Sequence, residues 1–186
     1  MQIAVGISGA TGAIYGIRIL EVLKELGVTT HLVLSEAAET TINMETGRNI
    51  TEVKALASEL HDISDVGASI ASGSYMIDGM IIAPCSIKSL SAIANSFNEN
   101  LLVRAADVML KEKRKLVLIV RETPLHLGHL KLMSSVAEYG GIILPPMPAF
   151  YNLPKTVDDI INHTVGKALD QFNIKHNLFK RWNGRA

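Results

Sequence analysis

The chain has 186 residues, enough for one domain with a sizeable core. Hydrophobic residues make up 48% and charged residues 19%, which excludes a disordered composition; Lys plus Arg equals Asp plus Glu at 18 each, and this zero net charge lacks the electrostatic footprint of a nucleic-acid binder. Cys85 is the only cysteine, so an intramolecular disulfide and a multi-cysteine metal site are excluded.

Gln2 to Ile7 is an apolar run that enters the turn Ser8-Gly9-Ala10-Thr11-Gly12, the pattern of a buried strand followed by a Gly-rich bend. Ile19, Leu23 and Leu26 then recur at helical spacing, and Gly27 can close that helix. Thr29 to Leu34 reads as a second strand, with Ser35 as the cap of the next helix and Glu39 near its start. Thr51 to Leu60 is predicted helical, and the small, polar stretch from His61 to Tyr75 loop or weak strand. Asp78 to Ala83 is a β-type run closed by Pro84, after which Ser86 or Ser89 opens a helix. Asn100 to Lys113 is predicted helical, Leu116 to Val120 a strand, Pro124 to Tyr139 helical and Ile142 to Leu144 a short strand. Pro145-Pro146-Met147-Pro148 is stiff and extended, because proline fixes φ and lacks a donor. Thr156 caps a last helix with Asp158 and Asp159 in its first turn and a buried stripe of Ile161, Val165, Ala168 and Phe172.

Strands and helices alternate throughout, which predicts βαβ crossovers and a single α/β domain, a mostly parallel sheet covered by helices on both faces. In such sheets ligands gather beyond the carboxyl ends of the strands, here followed by Gly9-Ala10-Thr11-Gly12, Ser35, Pro84-Cys85-Ser86, Arg121-Glu122 and Tyr151. The longest apolar stretches fall well short of the ~20 residues that span a bilayer. With no signal-peptide pattern after Met1, no membrane partner is expected and the cytoplasm is the expected address.

Several constellations can carry chemistry. Gly6, Gly9 and Gly12 form either a plain tight turn or a backbone cradle for a phosphate or a flavin edge. Ser86 to Ser89 supply either an ordinary cap or donors for phosphate oxygens. Arg104, Asp107 and Lys111 share one helical face, as a solvated ion-pair stripe or as two cations turned inward on an anion. Arg121 and Glu122 are either a surface ion pair or an anion contact beside a proton-transfer group. Cys85 reads as a buried structural thiol, and His31, His61, His126, His129, His163 and His176 show no convincing metal-ligand spacing.

Six blocks occur in an order that resembles the UbiX-type flavin prenyltransferases, in particular the branch long labelled as phenolic acid decarboxylase partners. They are Gly9-Ala10-Thr11-Gly12-Ala13; Ala71-Ser72-Gly73-Ser74; Pro84-Cys85-Ser86; Arg104-Ala105-Ala106-Asp107-Val108 with Leu110-Lys111-Glu112; Arg121-Glu122-Thr123-Pro124; and Pro145 through Tyr151. The resemblance runs from Ile3 to Trp182 and implies a Rossmann- or flavodoxin-like flavoprotein domain over 1–186, its C-terminal helix and tail (about 156–186) completing the site. It implies a metal-independent transfer of the dimethylallyl group of dimethylallyl monophosphate to N5 and C6 of reduced FMN. The product is prenylated FMN for a UbiD-type decarboxylase, and the assembly a homo-oligomer, commonly a dodecamer, with the flavin between subunits. By the same resemblance Gly9, Ala10, Thr11, Ser35, Ser86, Ile87, Lys88, Ser89 and Arg121 contact FMN; Arg104, Lys111, Tyr151 and Lys167 clamp the prenyl phosphate; Glu45 and Glu122 handle protons, Lys111 serves the chemistry, and Trp182 lies over the prenyl group. Thr11 stands where many members carry Ser, and Lys167 where some carry Arg. An FMN-dependent decarboxylase of the cysteine-decarboxylase superfamily and a non-catalytic flavin carrier are the alternatives.

Overall fold

Alternation is visible in how each central strand divides its side chains. In the computed structural model, which describes residues 1–182 and 184, β1 (Gln2–Ile7) sends Ile3, Val5 and Ile7 to one face of the sheet and Ala4 to the other. Each residue of a strand faces opposite to the next, so a strand buried on both sides must be apolar throughout. β4 (Gly79–Cys85) is buried along its whole length, and β5 (Lys115–Val120) everywhere but Lys115. With β2 (Thr29–Leu34), β3 (Glu59–His61) and β6 (Ile142–Ile143) they form a six-stranded, wholly parallel sheet in the order β3-β2-β1-β4-β5-β6.

Helices cover both faces, as expected. α1 (Ala13–Glu25), α2 (Glu36–Thr46), α3 (Ile50–Lys54) and α7 (Val157–Asp170) pack on the Ile3 face; α4 (Ile87–Ala94), α5 (Leu101–Lys111) and α6 (Leu127–Glu138) pack on the Ala4 face. α1 buries Ala13, Ile17, Leu20 and Leu23 at helical spacing, while Leu26 of the predicted stripe is exposed because it already lies at the helix's C-cap. Gly27, at φ 68°, turns the chain out of the helix. Ser35, Ser86 and Thr156 cap α2, α4 and α7 as the sequence suggests, and Thr156 forms a capping box with Asp159.

One predicted element is wrong. Thr51 to Leu60 is not a continuous helix: α3 ends at Lys54, and Glu59 and Leu60 belong to β3. Local propensity favours helix there, but pairing of His31, Leu32 and Val33 with Glu59, Leu60 and His61 outweighs it. A single 3₁₀ turn at Ser69–Ala71 lies in the following segment. β4 also runs beyond Ala83 through Pro84 to Cys85.

Candidate functional site

β1 connects outward to β2 on one side, and the chain returns across it to pair β4 on the other. This reversal opens a crevice at the carboxyl ends of β1 and β4, the topological switch point where nucleotide ligands bind such sheets. A cavity of about 580 Å³ occupies it, lined by Ser8 and Gly9 after β1, Ser35 to Ala37 after β2, and Ser86, Lys88 and Ser89 after β4. Its size falls in the range of small-molecule sites.

Three helix N-caps border this one cavity: Ser35 of α2, Ser86 of α4 and Asn100 of α5. Their side chains accept hydrogen bonds from Ala38 N, Ser89 N and Val103 N, at 3.1, 3.2 and 3.1 Å. Each N-terminus carries a partial positive charge, so a neutral chain has gathered three of them where an anion would bind. Asn100 is not among the expected site residues; its cap role before an apolar helix is the available signal. Ser8 is absent from them as well. Its buried hydroxyl donates to Pro84 O and accepts from Ser86 N, both at 2.8 Å, tying the first and fourth strand ends together. At Gly9 a Cβ would stand 2.3 Å from Ala37 Cβ, so only glycine lets the first turn approach α2 this closely.

In the glycine turn, read as a plain tight turn or as a cradle for a phosphate or a flavin edge, two amides have a carboxylate partner. Glu45 Oε2 accepts from Gly12 N at 2.8 Å and from Ala13 N at 3.2 Å, so a carboxylate of α2 already satisfies the N-terminus of α1. Gly9 lines the cavity; Ala10, Thr11 and Ile87 do not. The arrangement places Glu45 beside the first strand end in a fixed orientation. Glu122, exposed after β5, accepts from Thr123 N at 3.0 Å. Arg121 N donates to Cys85 O at 3.1 Å, and its charge pulls on the Tyr15 phenol, whose pKa burial nonetheless holds above its ordinary value. Burial pushes the Cys85 thiol up to about 12, so at neutral pH it is no nucleophile.

The four expected phosphate-clamp residues form two groups. Arg104 bridges to Asp107 at 3.2 Å and donates to Ala71 O at 3.1 Å, and Lys111 pairs with Glu112; both sit on α5. Tyr151 shares a 3.0 Å hydrogen bond with His163 Nε2 on α7, the helix that carries Lys167, and Trp182 stands edge-on to the Tyr151 ring with centroids 6.1 Å apart. α5 and α7 cover opposite faces of the sheet. His163 carries no sequence signal, because its role depends on a loop residue folding back on it. Asn183 and the tail beyond Gly184 lie outside the described residues.

Comparison with known proteins decides the family. The chain is 65% identical over 184 residues to the flavin prenyltransferase UbiX of Thauera aromatica, covering 99% of this chain and 95% of that one. The chain belongs to the UbiX flavin prenyltransferase family. A sequence profile of the broader flavoprotein family matches residues 1–167. Among solved structures, that of AnUbiX in complex with FMN and dimethylallyl pyrophosphate superimposes with a TM-score of 0.97 at 48% identity, covering all of this chain and 98% of that one. A dodecameric FMN-dependent UbiX-like decarboxylase from Escherichia coli O157:H7 matches with a TM-score of 0.97 at 49% identity, over 99% and 100% of the two chains. The likeness covers the UbiX fold from β1 through the segment after α7.

Proposed function

We propose that this chain joins the dimethylallyl group of dimethylallyl monophosphate to N5 and C6 of reduced FMN, making prenylated FMN. The convergence of three helix N-termini on one cavity at the switch point carries the reading, together with membership in a family of flavin prenyltransferases. The cavity volume, the close backbone approach at Gly9 and the hydroxyls of Ser35, Ser86 and Ser89 fit a phosphorylated aromatic ligand. FMN, once reduced, supplies the nucleophilic nitrogen.

The residues divide the remaining work. Gly9, Ala10, Thr11, Ser35, Ser86 to Ser89 and Arg121 hold FMN. Arg104, Lys111, Tyr151 and Lys167 hold the prenyl phosphate, whose departure leaves negative charge that fixed cations and donors stabilise. The rings of Tyr151 and Trp182 offer π-faces to an allylic cation. Glu45, held by two backbone N–H groups, and Glu122, held by one, are placed to accept or return protons.

Because Arg104 and Lys111 sit across the sheet from Tyr151 and Lys167, the clamp closes only between copies. A homo-oligomer follows, and the dodecamer of the Escherichia coli O157:H7 neighbour is its proposed form. We place the protein in the cytoplasm as a single domain completed by α7 and the tail, with a UbiD-type decarboxylase as recipient of its product. No helix among the described residues is long and apolar enough to cross a membrane.

The test is anaerobic incubation of the protein with reduced FMN and dimethylallyl monophosphate, followed by mass spectrometry of the extracted flavin. A gain of one five-carbon unit is expected, and it should be abolished in Lys111→Ala. Unmodified FMN released from correctly folded, FMN-loaded protein would reduce the chain to a carrier.

A further inference from the structure

Three side chains with metal-binding atoms meet at the outer edge of the sheet, and the proposed reaction uses none of them. His31, the third residue of β2, is fully buried and lies in register with Glu59 of the edge strand β3; His61 follows two residues later, on the same face as Glu59. His31 Nδ1 is 3.0 Å from His61 Nε2 and 3.4 Å from Glu59 Oε2, and that oxygen is 3.9 Å from His61 Nε2. Ligand atoms bound tetrahedrally at zinc distances stand about 3.3 Å apart. The triangle already has nearly that size.

The surroundings fix which nitrogen of His31 is free. Gln2 Oε1 accepts from Tyr75 Oη at 3.0 Å and lies 3.1 Å from His31 Nε2. An amide oxygen can only accept, so Nε2 carries the hydrogen and Nδ1 keeps its lone pair. That lone pair, the second imidazole and a carboxylate then converge with a single hydrogen, on His61 Nε2, to share among them. A histidine whose remote N–H is held by a carbonyl oxygen is also how metal-ligating imidazoles are usually oriented.

We propose that His31 Nδ1, His61 Nε2 and Glu59 Oε2 form a site for a divalent transition-metal ion of the zinc type, with a fourth position open to solvent. Two imidazoles and one carboxylate favour zinc over magnesium or calcium, which prefer all-oxygen shells. His61 moves its hydrogen to Nδ1 on binding, so neutral ligands need lose no proton. The ion enters past Glu59, whose side chain is 53% exposed, while that of His31 is wholly enclosed. It would pin the three-residue strand β3 to β2 and take no part in prenyl transfer, since His31 lies four residues before Ser35, about 13 Å along an extended strand.

The experiment uses the untagged full chain, stripped with chelator and titrated with zinc chloride by calorimetry, with metal content read by elemental mass spectrometry. One zinc per chain is expected, with a raised Tm. His61→Gln, at a partly accessible position, should lose at least tenfold in affinity and lose the Tm increment while prenyl transfer is retained. Gln2→Leu should weaken binding by about ten- to a hundredfold through loss of the His31 orientation. The other adjacent pair, His126 and His129, has ring centroids 3.6 Å apart, so the His126→Gln/His129→Gln double variant serves as the control and should bind as the parent does. Absence of stoichiometric zinc, or equal affinity in His61→Gln and the parent, overturns the proposal.

Discussion

His163 and Tyr151 hold each other through one hydrogen bond, and its direction depends on protonation. Burial pushes the His163 pKa below its ordinary value of 6.5, Lys167 acts in the same direction, and Asp170 opposes them. The neutral ring can accept the Tyr151 hydroxyl proton at Nε2; the cation cannot. Just below pH 6.5 the unfolded chain therefore binds more protons than the native one, and stability is lost as pH falls through that value. Thermal melts between pH 7.5 and 5 should show Tm falling more steeply in the parent than in His163→Gln. Equal slopes would assign the acid sensitivity to another group. Lys167 thus has two effects at this scale: the proposed phosphate contact, and a charge that adds to burial in lowering its neighbour's pKa.

Among the elements, α1 is tightly constrained by a glycine on its sheet-facing side. A Cβ at Gly16 would stand 2.2 Å from Ala83 O and 2.8 Å from Ile7 Cδ1, so the helix backbone rests directly on β4. Because Ala83 leads through the end of β4 to Ser86, a displaced α1 moves one wall of the cavity. Gly16→Ala should cost about 3 kcal/mol, the upper range of overpacking, despite alanine's better helix propensity. Urea unfolding measures it, and a loss under about 0.5 kcal/mol would mean that the helix shifts without penalty. FMN affinity should fall in parallel. Gly16 holds α1 on the sheet while Glu45 of α2 reaches its N-terminus.

For the whole molecule, the decisive feature is that the sheet separates α5 from α7. The proposed clamp draws on both and is proposed to be built from two copies, which gives a prediction specific to a shared site. Arg104→Ala and Lys167→Ala should each abolish prenyl transfer alone. Subunits of the two variants, mixed after dissociation and reassembled, should recover about a quarter of parental activity, since random assembly pairs two intact halves that often. No recovery in well-formed mixed oligomers would place the whole clamp in one chain. The zero net charge leaves no long-range repulsion between such copies.

The α/β class, the parallel sheet and the positions of most caps are legible in the bare sequence, because they rest on local patterns: apolar runs, helical spacing, and Ser or Thr before a helix. The same patterns locate the strand ends, and so the serines and glycines around the cavity. Where a residue's state depends on a partner distant in the chain, the answer comes from the folded arrangement. Edge pairing with β2 converts Glu59 and Leu60 from predicted helix to strand. Glu45 takes two amides of the first turn, and Ser8 joins the site through contacts that no spacing encodes. His31 and His61, 30 residues apart in sequence, become an adjacent pair. The placement of α5 and α7 on opposite faces of the sheet is likewise invisible in the sequence, since helical spacing orders residues around one helix and is silent on which face of the sheet that helix covers.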